Sequence, residues 1–190
     1  SKRSGPASTV GRDAPVESVP IDDVRCRFRT CYPTEVLPLD LAALNYSVKG
    51  DGSLLSLRLE MSADGHLGEL ELSRLRLHFA GERYISQMLY LSLLRNLEGI
   101  ELIPLDGSGK PINGVNGTPM AFKMPGDRVQ PVGFAEEEAL IPYPLNTFRG
   151  YRYLQEYFAF QDKFLFVDVN GLDILKALPE DTLKQMRGLE

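Results

Sequence analysis

The residues able to do chemistry are few, and their spacing fits no catalytic or metal pattern. Cys26 and Cys31 have four residues between them. A zinc centre takes about four Cys or His ligands in close-spaced pairs. The two histidines, His66 and His78, form no such pair. The cysteines read as small buried or half-buried thiols, and nothing in the chain singles out a Cys–His nucleophile. Gly107-Ser108-Gly109-Lys110 faintly resembles a phosphate loop. That loop needs G-x-x-x-x-G-K-[ST] between a strand and a helix. Here Pro111 follows the lysine, so a tight polar turn is expected. Glu136, Glu137 and Glu138 could do acid–base work if their environments split their pKa values. Three adjacent acids more commonly cap a helix start or face water. Asp168 and Asp173 flank Asn170-Gly171, but the ligand order of an EF-hand is absent. The chain therefore reads as a non-enzyme, with no catalytic, cofactor or metal site assigned.

Composition narrows the partners. The 190 residues carry 21 Lys plus Arg against 26 Asp plus Glu, a formal net charge of -5. That balance argues against a general nucleic-acid binder and against adhesion to anionic lipid. Two cysteines cannot staple a scaffold, so a reducing compartment is the easier expectation. No apolar run approaches the roughly 18 residues of a membrane span, and no signal peptide is visible at the N-terminus. The chain lacks a starting Met and stops inside a helical pattern, which suggests a piece of a longer protein.

Residues 1–20 are rich in Ser, Pro and Gly without a period, so residues 1–23 are assigned to an extended linker. From Val24, apolar Val24, Cys26 and Phe28 alternate with Arg25, Arg27 and Arg29, the period of a strand with one wet basic face. Pro38 interrupts the next stretch and marks an edge or a break. Leu55, Leu57, Leu59 and Met61 alternate clearly. They predict a hairpin through Ala63-Asp64-Gly65-His66 into a return strand with Leu70, Leu72, Leu75, Leu77 and Phe79. A bulge or break at Ser73-Arg74 absorbs the flip in phase.

Residues 82–97 predict a helix that is apolar nearly all round, with Tyr84, Met88 and Leu91 on one side and Tyr90, Leu93 and Leu97 on the other. Such a helix is buried on most faces, by its own fold or by another chain. A strand over 100–105, a loop over 106–124 with room for one strand, an extended stretch over 128–134 and a strand over 163–169 complete the pattern. The predicted class is α+β, mainly antiparallel β with two inserted helices. Residues 24–178 form the β-rich domain, divisible at 105/106, and residues 179–190 begin a following element.

The second helix, over 148–160, is the best clue. Phe148, Tyr151, Leu154 and Phe158 form one apolar stripe, and Tyr153 and Tyr157 an adjoining aromatic one. Arg149, Arg152 and Glu156 gather on the remaining arc. A buried core helix would carry such an arc. So would a helix that packs on its own sheet and offers tyrosine to a partner, where apolar area and a polar tip combine well. The candidate interface is Phe148, Tyr151, Tyr153, Leu154, Tyr157 and Phe158, with Phe134 ahead of the acidic triplet.

These residues also carry a resemblance. G-F-A-E-E-E-A-L-I-P-Y over 133–143, F-R-G-Y-R-Y-L-Q-E-Y-F-A-F over 148–160 and K-F-L-F-V-D-V-N-G-L-D over 163–173 closely resemble the TssF family, also called VasA or ImpG. Upstream, T-C-Y-P-T-E-V-L-P-L over 30–39 and E-L-E-L-S-R-L-R-L-H-F-A-G-E over 69–82 look like further family segments. The family commonly has Pro where Gln161 stands, which puts the turn after the second helix in question; residues 1–20 and 106–124 match nothing in it. The resemblance implies a fold related to wedge proteins of contractile-tail baseplates. It also implies a cytoplasmic structural subunit of the type VI secretion baseplate, near the inner membrane, without cofactor. The implied partners are a TssG-like subunit, TssK-like and TssE-like subunits and a second copy of itself, with no nucleic acid and no membrane insertion. The alternative is a stand-alone β-rich binding module whose Tyr151, Tyr153 and Tyr157 form a ligand platform. A third reading, a hydrolase using residues 136–138 or a Cys–His pair, requires a pocket that joins a histidine to an acid or thiol.

Overall fold

The structure, a computed structural model, describes residues 7–62, 70, 72–114, 116–144 and 146–186. Eleven strands and three α-helices are defined among them: β1 Ser8–Val10, β2 Pro15–Glu17, β3 Arg27–Arg29, β4 Thr34–Val36, β5 Leu39–Lys49, β6 Gly52–Met61, β7 Arg74–His78, α1 Arg83–Asn96, β8 Gly99–Leu102, β9 Phe122–Pro125, β10 Val129–Pro131, α2 Arg149–Ala159, β11 Phe166–Asn170 and α3 Glu180–Met186. The strand pairs are antiparallel and the class is α+β, as expected.

The central sheet runs β10-β11-β7. β11 pairs with β7 from Phe166 opposite His78 to Asn170 opposite Arg74, and with β10 from Val129 opposite Val169. Val167 is almost fully buried, which is why this short strand sits in the middle. A second apolar cluster joins Leu72, Met124, Leu172, Leu175 and Leu178, with Ile100, Leu102, Phe122 and Val169 packed against it. Gly171 takes φ +86, the left-handed conformation that Gly adopts without steric cost, and turns β11 into the 3-10 segment that carries Leu172 and Leu175.

Several expectations change. Part of the stretch assigned to an extended linker is laddered: β1 pairs with β4 and β2 with β3, the second pair supported by Arg25 and Arg27 beside Glu17. The strand with Leu55 to Met61 does not pair with the strand of Leu75 and Leu77. β6 instead pairs with β5, with Lys49 opposite Gly52 at the tip, while β7 goes to β11. Period-2 alternation shows that a segment is extended but is silent on its neighbour. The Ala63-Asp64-Gly65-His66 turn lies outside the described residues. Pro38 does divide two strands, β4 and β5.

The predicted strand over 163–169 starts later, because residues Gln161–Phe164 form a 3-10 turn first. The loop over 106–124 holds isolated bridges, Leu105 to Pro111 and Asn113 to Pro119, before β9 pairs with β8. Gly107 to Lys110 is a polar turn, as expected. Asp106 Oδ1 accepts from the Ser108 and Lys110 amides at 2.8 and 2.9 Å. These bonds hold the Asp106 carboxyl below the usual carboxylate range, the Lys110 amide contributing most. Cys26 is exposed and Cys31 half-buried, both as free thiols.

Candidate functional site

Both long helices differ from soluble amphipathic helices in what they leave uncovered. On α1, Tyr84, Ile85, Met88 and Leu91 are exposed and Ser86 is buried. On α2 the usual arrangement is inverted. Arg152 is 5% exposed and Glu156 0%, whereas Phe148 is 71% and Phe158 73% exposed. Tyr151, Leu154 and Tyr157 are also exposed and Tyr153 is half-buried. Among the described residues α2 is therefore not a deeply buried core helix, and its polar arc is the one that faces inward.

Charge chemistry explains the inversion. Buried charges are tolerated when they are paired and hydrogen-bonded. Glu156 Oε2 receives Lys163 Nζ from the 3-10 turn that follows the helix, and both side chains are buried. Glu156 Oε1 accepts the Leu140 amide at 2.9 Å and the Ile141 amide at 3.3 Å. One turn earlier, Arg152 Nη2 donates to the carbonyls of Phe134 and Ala135 at 3.2 and 3.3 Å. Arg152 also lies 4.7 Å over the Tyr153 ring, and Tyr153 donates its hydroxyl to the Phe134 carbonyl at 2.8 Å. Three polar residues, Arg152, Tyr153 and Glu156, thus bolt α2 to the segment 134–141.

That segment is bolted in turn to the central sheet. Glu138 Oε2 accepts the amides of Gly133 at 2.7 Å and Ala135 at 3.3 Å. Glu138 Oε1 receives Arg76 Nη2 at 3.1 Å. Arg76 forks onto Asp168 with two bonds of 2.7 Å. This hydrogen bonding to Asp168 raises the Arg76 pKa above its ordinary value; burial opposes the shift, and the charges of Asp168 and Glu138 add to it. Gly133 takes φ +102, and a Cβ there would lie 3.2 Å from the Lys163 carbonyl, so a larger residue would be strained and crowded at the crossing. Glu138 is thus a structural tie. Glu136 pairs with Arg149, and Glu137 is exposed. His78 stacks on Phe166. Asp168 is occupied by Arg76.

The seven sequence-predicted residues fall into two groups. Phe134, Tyr153, Leu154 and Tyr157 line a groove of about 390 Å³ between α2 and α1, with Phe164 and Leu165 at its floor and Arg83, Gln87 and Tyr90 on the α1 side. Phe134 contacts Tyr153 edge-on at 5.8 Å and Phe164 at 5.2 Å. Burial raises the Tyr90 pKa above the ordinary phenol value, so its hydroxyl stays protonated. Phe148 and Tyr151, edge to face at 5.5 Å, stand open at the helix start, and Phe158 at its end. The sequence reading missed the anchors Arg152, Glu156 and Lys163 and the α1 wall of the groove. The four-residue spacing of Arg152 and Glu156 was the available signal, but a polar arc ordinarily faces water. What the arrangement can do is present a fixed aromatic surface; it brings no nucleophile, base and acid together.

The sequence profile of the family described as type VI secretion system, TssF, matches residues 4–186. The type VI secretion system component TssF1 of Pseudomonas aeruginosa is 29% identical over 167 residues, which are 81% of this chain and 25% of that protein. The chain thus spans about a quarter of the length of that relative. A chain of the TssK-TssF-TssG baseplate subcomplex, solved by cryo-electron microscopy, superposes with a TM-score of 0.68 at 31% identity, over 94% of this chain and 32% of that one.

Proposed function

The chain belongs to the type VI secretion system TssF family, and from that premise we propose that it is a non-catalytic building unit of a baseplate wedge. Its partners are a TssG-like and a TssK-like subunit, as in the subcomplex it resembles, together with a TssE-like subunit and a second copy of itself. The wedge is cytoplasmic, near the inner membrane, and is the platform on which tube and sheath assemble. No described helix is long and apolar enough to cross a membrane.

The observation that carries this reading is the inverted α2. Exposed large apolar side chains in contiguous patches mark interaction sites. Here Phe148, Tyr151, Leu154, Tyr157 and Phe158 are open because the polar arc behind them is locked inward. With Phe134 and Tyr153 they form the proposed interface. Aromatic anchors of this kind dominate binding energy, at roughly 1.5–3 kcal/mol for each large apolar side chain fully buried. The working unit is residues 24–178, with β1 and β2 laddered onto it. Co-purification with a TssG-like partner is the test. Retention of the chain by that partner, lost on changing Tyr151, Tyr157 and Phe158 together to Ala, is the expected result. A chain that stays monomeric beside the partner overturns the proposal.

The groove between α1 and α2 supports a second reading, a β-rich binding module with an aromatic ligand platform. Its apolar lining and 390 Å³ would take one small ring or side chain. Saturable binding on a glycan or peptide array would favour it, and the absence of any such ligand would remove it.

A further inference from the structure

Five charges run in unbroken alternation across one face of the central sheet. Glu35 on β4 accepts Arg74 Nη2 of β7 at 3.2 Å. Arg74 Nη1 lies 3.6 Å from Asp168 Oδ2 on β11. Asp168 also holds Arg76 through its two bonds of 2.7 Å, and Arg76 reaches Glu138 at 3.1 Å. Arg74 and Arg76 are two apart on β7, and Asp168 stands directly opposite Arg76, so all three share one face of the pleat. The two ends of the line belong to different parts of the chain. Glu35 sits on the short β1–β4 ladder, opposite Thr9. Glu138 sits on the segment 134–141 that anchors α2. Tyr32, just ahead of β4, feels the same charges. Burial raises its phenol pKa above the ordinary value, Arg76 opposes the shift, and Cys31 and Glu138 add to it. The N-terminal ladder and the anchor of α2 therefore meet over the same two arginines.

The line is unbalanced, with three acids sharing two arginines. Seen from Glu35, the charges of Arg74, Asp168, Arg76 and Glu138 cancel; without Glu138 they leave one net positive charge to attract it. The same holds for Glu138 when Glu35 is removed. Asp168 is the fixed centre, with a side chain 12% exposed against 43% for Glu35. Its Oδ2 is already contested, since it accepts Arg76 Nη2 at 2.7 Å and stands 3.6 Å from Arg74 Nη1.

We propose that Glu35 and Glu138 compete for the Arg74–Asp168–Arg76 centre, so that the N-terminal ladder and the anchor of α2 are coupled with opposite sign: loosening either one tightens the other. When Glu138 withdraws, Asp168 still pins Arg76, whose charge stays in place and adds to the field that holds Glu35. When Glu35 withdraws, Arg74 is free to close on Asp168 Oδ2, and Arg76 turns more fully to Glu138. Such coupling is reciprocal by necessity. It is a conformational device within the fold and goes beyond the reading of α2 as an interface. A partner that draws α2 and the segment 134–141 outward would seat β1 and β4 more firmly on the sheet.

Amide hydrogen exchange of the whole chain reads both ends at once, because protection reports local opening. Glu138→Gln removes the charge and keeps an oxygen that can accept the Gly133 and Ala135 amides. Exchange at those two amides is expected to quicken, while exchange in β1 and β4 slows by about twofold or more, as for groups coupled in one ion network. Glu35→Gln is the reciprocal arm and is expected to slow Gly133 and Ala135 by a similar factor. Glu137→Gln, exposed and outside the line, changes neither end. Faster exchange in β1 and β4 on Glu138→Gln alone would mean that the line is a common brace, and it overturns the proposal. So does an unchanged far end in both variants, or the same slowing from Glu137→Gln. If Glu138→Gln quickens exchange throughout the chain, its fold is lost and the Glu35→Gln arm decides, with no slowing at Gly133 and Ala135 as the overturning result. The chain is studied without a TssG-like partner, so this outcome and that of the co-purification test are independent.

Discussion

Helix α2 and the β5–β6 hairpin both turn apolar side chains outward, and they are held in opposite ways. Behind α2 lies a chain of charged contacts, from Glu156 and Lys163 through the segment 134–141 to Glu138, Arg76 and Asp168. Behind the hairpin face of Leu41, Leu44, Tyr46 and Val48 lie mostly polar side chains, with Ala43 and Leu54 among them, and the ladder of its own two strands. A helix could roll its aromatic stripe inward to escape water. The buried ion pair forbids this, because rolling would part Glu156 from Lys163 and from the Leu140 and Ile141 amides. The hairpin has no such lock. Its face stays largely open because, among the described residues, β5 and β6 pack chiefly on each other. An uncovered apolar surface is thus either enforced from behind or awaiting a cover, and the distinction is visible in what lies on the reverse side.

The largest expected effect breaks the lock. Glu156→Ala leaves Lys163 buried and uncompensated and frees the Leu140 and Ile141 amides. Removal of one partner of a buried pair costs about 3–5 kcal/mol, which urea unfolding would report. A loss below about 1 kcal/mol would mean that α2 is not held from within. Gly133→Ala comes next. Its φ of +102 and its 3.2 Å approach to the Lys163 carbonyl predict a loss of about 1–3 kcal/mol.

The matching change at the hairpin tip, Gly50→Ala, is milder. Gly50 takes φ +59 but a Cβ there meets nothing, so about 1 kcal/mol is expected, local to the hairpin and visible as faster amide exchange in β5 and β6. Equal losses at Gly133 and Gly50 would erase the proposed difference between a crowded anchor and an open tip. Phe158→Ala is smaller still for stability, under about 1 kcal/mol by thermal unfolding, since the ring is exposed. Its effect belongs to assembly.

The smallest effect lies outside both regions and gives a baseline for pH. The Asp106 carboxyl is held below 3.8 by its turn, so its stabilisation is fully present above that value and is lost as pH falls through the lower, folded pKa. The Ser108 and Lys110 amide resonances should shift with a midpoint below pH 3.8, with α2 and the hairpin unmoved.

Helix limits were close to legible. The expected 82–97 and 148–160 became Arg83–Asn96 and Arg149–Ala159, because a 3.6-residue period and flanking Gly and polar residues act locally. The class was legible for the same reason, and the segments over 133–143 and 148–160 were legible through their resemblance to the TssF family. The aromatic stripe of α2 was readable as a stripe, though its direction was not. Strand pairing was less legible still: β6 took β5 as its partner and β7 took β11.

Sequence alone determined which segments are extended or helical and which side chains share a face. Tertiary structure decided which face looks inward. Lys163 reaches Glu156 only after the chain turns back at residues Gln161–Phe164, and Arg76 meets Asp168 across a distance of 92 residues. Periodicity ranks faces by polarity, on the premise that polar faces meet water. Desolvated charges with matched partners reverse that premise, and their partners are set by three-dimensional closure of the chain.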